Sequence, residues 1–193
     1  MAVEIRQLGP ECLEAYATIS MAFRVESVLR VEEVEGGLGG LRLVEESVSE
    51  PYVKDYDAFE DERPTRWRRF DLTEWGFFMA FDGEEPVGGA VVAVRSSEVH
   101  MLEGREDLAV LKDIRVAPER RGQGIGTALW DRAIAFARDK GCTTFKVETQ
   151  NVNVAACRFY AARGCRLGCI DRHGYAGVPE ASHETMLLWY KDL

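Results

Sequence analysis

The sequence lacks any apolar run approaching the roughly 20 residues that cross a bilayer, and its opening MAVEIRQLG has no signal-peptide core. A cytoplasmic location, away from membranes, is the expectation. Basic charge is also short: 24 lysines and arginines face 33 acidic residues, a net charge of −9 with a sequence pI near 5.0. No counterion release would then drive DNA or RNA binding, and an anionic membrane would repel the chain, so neither is expected as a partner. A cationic ligand suits it better. Histidine occurs only at His100, His173 and His183, and the five cysteines, Cys12, Cys142, Cys157, Cys165 and Cys169, contain no CxxC pair. No metal-ligand cluster emerges from that spacing, so no metal is expected. The cysteines read as small buried fillers in a reducing compartment. Cys157 alone is conceivable as a nucleophile, yet no histidine is placed by sequence to activate it. Repeats and low-complexity tracts are absent.

What is present begins with 46% hydrophobic residues, enough for one well-filled core in 193, so a single domain over residues 1–193 is expected. The most informative stretch is VAPERRGQGIG, residues 116–126. It follows LAVLKDIRV, which reads as a strand over 108–116, and Pro118 stops ladder pairing just beyond. It opens a helix over 123–140, where Ile125, Leu129, Ile134 and Ala137 recur at helical spacing until Gly141 caps the run. Arg121, Gly124 and Gly126 stand as Arg-x-x-Gly-x-Gly. Residues without a Cβ let backbone N–H groups approach a ligand, and the amides and dipole of a helix's first turn favour negative charge. Strand, turn and helix together make a pyrophosphate grip. The Rossmann fingerprint does not fit, because Arg121 stands where its first glycine belongs and no ribose-binding acid ends a following parallel strand. The Walker motif fails too, since no Gly-Lys-Ser/Thr follows.

The remaining elements follow from periodicity and punctuation. Residues 3–8 alternate like a half-buried edge strand, and Pro10 starts a helix running to about Phe23. Strands over 75–81 and 87–95 flank DGEEP and form an antiparallel hairpin. The 123–140 helix crosses over to a strand at 145–149, which makes one parallel pair with 108–116. A helix over 153–163 precedes a closing antiparallel pair at 166–171 and 184–190.

RGQGIG resembles the pyrophosphate loop of the GNAT superfamily of acyl-CoA-dependent N-acetyltransferases, with its Gln/Arg-x-x-Gly-x-Gly/Ala pattern. NVNVAACRFYAARGC is similar to that family's Asn-x-x-Ala-x-x-x-Tyr-x-x-x-Gly helix through Asn153, Ala156, Tyr160 and Gly164. More narrowly, PYVKDYD, VETQNVNVAACRFY, CIDRHGY and the ending MLLWY resemble streptothricin acetyltransferases. The resemblance implies a mixed α/β fold, with a mainly antiparallel sheet of about seven strands flanked by about four helices, its parallel pair splaying to admit CoA. It implies an acyl-CoA-binding core over 108–164 and an acceptor side over 26–70. Acetyl-CoA is then the co-substrate. The loop from Arg120 and Arg121 through Gly122, Gln123, Gly124, Ile125 and Gly126 to Thr127 would hold its pyrophosphate. A bulge near Ile114, Arg115 and Val116 would free an amide for the thioester carbonyl. Ala156 belongs to the cofactor set, and Arg158 or Arg163 would lie near the adenosine. Asn153 would bond the pantetheine arm, or equally serve as an N-cap. Family members are often dimers, and MLLWY is a candidate shared edge.

Residues 26–62 hold twelve acids against three bases, a surplus equal to the net charge of −9 for the whole chain. Such a segment is either a solvated face or a wall for a polycationic amine, with Tyr52, Asp55, Tyr56 and Asp57 lining it through carboxylates and aromatic faces. Amide formation needs an unprotonated amine, and stripping a lysine-like amine at pH 7 costs about 4.6 kcal/mol. By resemblance, Glu148 is the base acting through water, and Tyr160 donates to the departing sulfur. Asp113 is a second base or a cation anchor, or a carboxylate in an ion pair. A small cationic amine of the streptothricin type is the expected acceptor. The alternatives are a protein N-terminus or lysine, and a CoA-binding module without turnover.

Overall fold

Two adjacent glycines, Gly88 and Gly89, organise the larger part of the chain. The structure is a computed structural model that describes residues 3–59 and 63–193. Its strands and helices, in chain order, are β1 (Glu4–Leu8), α1 (Leu13–Tyr16), β2 (Phe23–Glu33), β3 (Leu41–Lys54), β4 (Gly76–Asp82), β5 (Glu85–Val94), β6 (Leu108–Val116), α2 (Ile125–Asp139), β7 (Thr144–Gln150), α3 (Val154–Ala162), β8 (Arg166–Asp171) and β9 (Met186–Asp192). A six-residue 3-10 helix at Pro64–Arg69 makes a fourth helical segment of more than three residues among the described residues. The seven-stranded sheet runs β1-β4-β5-β6-β7-β9-β8 and is mainly antiparallel, its one parallel pair being β6 and β7, joined by α2. This is the mixed α/β architecture expected. Strands β2 and β3 form a separate ribbon.

The contacts fall into two compact units. One combines the chain up to Phe23 with Asp55–Lys146 and Asp192–Leu193. Here β4 and β5 are buried on both faces, because α2 covers one and α1 the other. A Cβ at Gly88 would meet Ile125 Cγ2 at 3.1 Å, and one at Gly89 would meet the Tyr16 ring at 2.4 Å. Glycine therefore admits α2 on one side and the Tyr16 phenol on the other. Helix α2 buries Ile125, Leu129, Trp130, Ala133, Ile134 and Ala137 on one face, the period-3.6 pattern of its sequence. Left-handed Gly141 closes it, with Cys142 N–H donating to Ala137 O at 3.0 Å. The first helix is shorter than expected and ends at Tyr16 rather than near Phe23. Thr18 Oγ1 donates to Ala15 O at 2.7 Å and Ala22 N–H donates to Ser20 Oγ at 3.1 Å, so side chains compete for the backbone and stop the turn.

The second unit is Arg24–Lys54 with Val147–Lys191. Its β2–β3 ribbon turns through Gly36, Gly37 and Gly40, all at positive φ. The ribbon went unrecognised in the sequence, where the adjacent acids Glu32 and Glu33, and Glu45 and Glu46, interrupt the alternation of the strands. Asn151, just beyond β7, ties it down: its main-chain O accepts from Leu29 N–H at 2.9 Å and its Nδ2 donates to Leu29 O at 3.0 Å. On its other side Asn151 exchanges bonds with Thr185, as N–H to Thr185 O at 3.0 Å and Oδ1 from Thr185 N–H at 2.8 Å. Strand β9 lies between β7 and β8, so MLLWY is not an edge available to a second copy. The pairing groups of an interior strand are already taken.

Candidate active site

In the first unit, a 3-10 turn at Pro118–Arg120 leads from β6 into the loop, where Gly122 has φ +76° and Gly124 φ +85°. Both lie in the left-handed region, and a Cβ at either would face open space. Gly124 is the N-cap of α2 and offers no side-chain acceptor, so Ile125, Gly126 and Thr127 supply first-turn amides to a backbone that has capped none of them by side chain. Arg121 Nε donates to Val116 O at 3.0 Å, and partial burial holds its guanidinium pKa below the usual value. A bound diphosphate would accept from these amides and from the exposed Arg121, so glycines, helix terminus and cation suit this anion. Gln123 Nε2 donates to Glu119 O at 3.4 Å. Arg120, expected on the pyrophosphate, is paired with Asp82 instead.

The bulge in β6 lies upstream of its expected place. Ile114, Arg115 and Val116 keep regular register with Ala90, Gly89 and Gly88, while Lys112 is the extra residue between the partners of Val92 and Val91. An extra residue reverses which face the following side chains take. Leu108 and Val110 share the core of Tyr16, and beyond the bulge it is Asp113 and Arg115 that reach Tyr16. The Tyr16 hydroxyl donates to Asp113 Oδ1 at 2.7 Å, and Arg115 donates to Asp113 from Nε at 3.1 Å and Nη2 at 2.7 Å. Arg115 Nη1 also donates to Ile19 O at 2.9 Å and Asp57 Oδ1 at 3.0 Å. Burial and the Asp113 charge raise the Tyr16 phenol well above its usual range. Asp113 is thus the ion-paired carboxylate of the expected alternatives, and the Arg115 side chain is a buried brace rather than a cofactor contact. Asp57 also accepts from Met21 N–H at 3.1 Å, and Asp55 caps its own turn from Asp57 N–H at 3.0 Å. Tyr56 packs between Phe23 and Phe59, with centroids at 5.7 and 6.3 Å. Structure therefore occupies Asp55, Tyr56 and Asp57, while Tyr52 is half-exposed in the other unit. The expected acids Glu60, Asp61 and Glu62 lie outside the described residues.

In the second unit, Glu148 stands on β7 and its Oε1 accepts from the Tyr175 hydroxyl at 2.8 Å. Asn153 caps α3, accepting from Ala156 N–H at 3.1 Å, which realises the N-cap alternative. Val154, Cys157 and Tyr160 form the buried face of that helix, and Gly164 follows at φ +77°. Burial pushes the Cys157 thiol up to about 12, so it stays protonated and inert near neutral pH. Arg158 pairs with Glu45 at 2.5 Å, and the Arg163 guanidinium lies 3.8 Å from the Phe159 ring centroid. Sequence reading missed Tyr175, Asn151 and a buried pair between Lys54 and Glu184. Tyr175 was within reach, because it closes CIDRHGY, a stretch that already carried the narrower resemblance. Among the described residues no three His, Cys, Asp or Glu are gathered as for a metal.

Residues 41–165 match the acetyltransferase (GNAT) family. The chain belongs to the GNAT family of acetyltransferases, enzymes that draw on acetyl-CoA. It is similar to the streptothricin acetyltransferase of Escherichia coli, 33% identical over 151 residues that cover 78% of this chain and 76% of that one. Streptothricin acetyltransferase A of Bacillus subtilis (strain 168) is 38% identical over 82 residues, covering 42% of this chain and 47% of that protein, so the match spans less than half of that relative. Of solved structures, nourseothricin acetyltransferase superposes with a TM-score of 0.79 at 27% identity, covering 100% of this chain and 99% of that one. A putative streptothricin acetyltransferase from Bacillus anthracis str. Ames, in complex with acetyl coenzyme A, shares the fold at a TM-score of 0.76 and 24% identity, covering 100% and 98%.

Proposed function

We propose that this protein transfers acetyl from acetyl-CoA to an amine of a small cationic compound, with a streptothricin-type antibiotic as the acceptor. One observation carries the transfer: left-handed Gly122 and Gly124 lead into a helix whose N-cap, Gly124, makes no side-chain cap bond. The acceptor class is supported by the similarity to streptothricin acetyltransferases and by the acidic surplus of residues 26–62.

Acetyl-CoA, when bound, supplies an activated thioester. The loop amides and Arg121 hold its diphosphate. Glu148 takes the proton of the attacking amine, through water, as the new C–N bond forms and makes that proton acidic. Tyr160 gives its phenolic proton to the sulfur as the C–S bond breaks. Tyr160 lies on the buried face of α3, 6% exposed.

The test is CoA release by purified protein over a panel of streptothricin, aminoglycosides, polyamines and short peptides. Streptothricin is expected to give the largest rate above background. A folded protein that releases no more CoA with streptothricin than without it overturns that acceptor. A protein N-terminus or lysine then remains, which mass spectrometry of an extract incubated with labelled acetyl-CoA would reveal.

A further inference from the structure

The Tyr175 phenol is buried, and its hydroxyl needs a partner there. Glu148 is that partner, at 2.8 Å. Tyr175 belongs to the irregular stretch between β8 and β9, and this stretch is tied on both sides. Before it, Asp171 Oδ1 accepts from His173 N–H at 2.8 Å and His173 O accepts from Ala176 N–H at 2.9 Å, closing the turn that presents the phenol. After it, Val178 N–H donates to Tyr175 O at 2.9 Å, Glu184 is buried against Lys54, and Thr185 N–H donates to Asn151 Oδ1 at 2.8 Å. The same Asn151 follows β7, the strand of Glu148. Backbone and side-chain bonds therefore deliver the phenol to the carboxylate from a braced segment. A phenol is also a neutral donor, so it orients one carboxylate oxygen without cancelling the charge that a base needs.

We propose that Tyr175 is a positioning residue for acetyl transfer, its hydroxyl holding the Glu148 carboxylate in the orientation that receives the amine proton. This rests on the reading of Glu148 as the base. In the step itself the proton leaves the amine nitrogen and passes through water to Glu148 as the new C–N bond forms, and Tyr175 keeps its own proton throughout.

A four-protein cycle tests it: wild type, Tyr175→Phe, Glu148→Gln and the double variant, assayed by CoA release with the best acceptor of the panel. Tyr175→Phe is expected to lower kcat about 10-fold with KM for acetyl-CoA unchanged, and Glu148→Gln to lower kcat about 100-fold or more. The double variant should be no slower than Glu148→Gln alone, because Tyr175 acts only through that carboxylate. A wild-type kcat in Tyr175→Phe, or losses that multiply in the double variant, overturns the positioning role. A wild-type kcat in Glu148→Gln, or no acceptor in the panel at all, overturns the base reading and the positioning role with it. Circular dichroism sets the assay temperature. If Tyr175→Phe is unfolded throughout, a fluorinated tyrosine at position 175, which keeps ring and hydroxyl, replaces it and must alter kcat with KM constant, while an unaltered kcat again overturns the role.

Discussion

Asp113 and Glu148 are strand carboxylates with opposite company. Asp113, on β6, is enclosed by the guanidinium of Arg115 and the hydroxyl of Tyr16. Glu148, on β7, is half-buried and met by the phenol of Tyr175. A cation cancels charge and locks a carboxylate into the fold, whereas a neutral donor orients it and leaves the charge in place. The two acids thus differ in the donors shown for them, a guanidinium and a phenol for Asp113 and the Tyr175 phenol for Glu148.

The largest expected effect breaks the braced side. Arg115→Leu leaves Asp113 buried without its cation and Asp57 without its guanidinium, and should cost about 3–5 kcal/mol in chemical denaturation. Asp113→Asn should likewise lower stability while kcat stays within about threefold, and a 100-fold fall in kcat in a folded protein would make Asp113 the base after all. On the other side, Tyr160→Phe should lower kcat by about 10- to 1,000-fold with little change in acetyl-CoA affinity, read by steady-state kinetics and calorimetry. Asn153→Ala removes the cap of α3 and should cost about 1 kcal/mol, with Asn153→Asp restoring most of it. The smallest effect belongs to a third carboxylate, Asp107, which bonds from Arg105 and Thr143 hold down to about 2 from an ordinary 3.8. A depressed carboxyl stabilises the fold above its ordinary value and loses that contribution as pH falls through about 2. The melting-temperature gap between wild type and Asp107→Asn should close over that window, and a gap that persists at the acid end would contradict the assigned bonds.

Local signals were legible where punctuation was strong. Strand β6 has the bounds read from LAVLKDIRV because Pro118 follows it, and α2 ends where Gly141 demands. The start of α2 was less legible: the helix expected from 123 begins at Ile125, because left-handed Gly124 is its N-cap. Long-range partnerships were not legible. Tyr16 and Asp113 are 97 residues apart, and Arg115 and Asp57 are 58 apart, so no spacing rule could join them. The face of Asp113 also turned on Lys112, and a single extra residue in a ladder leaves no mark in composition. The β2–β3 ribbon was hidden because its acids fall in adjacent pairs, Glu32 with Glu33 and Glu45 with Glu46, which break the alternation of a strand.

The pair Gly88–Gly89 carries a consequence for how this sequence can diverge. Each glycine is the seat of a different neighbour, α2 for one and the Tyr16 ring for the other. A Cβ at Gly89 would drive into the Tyr16 ring at 2.4 Å, while one at Gly88 would press on Ile125 at 3.1 Å and Leu129 at 3.2 Å, and no adjustment on the opposite face would relieve either. Helix α2 and the Tyr16–Asp113 brace therefore share two successive codons, and drift at that spot disturbs the seat of each within a span of one dipeptide.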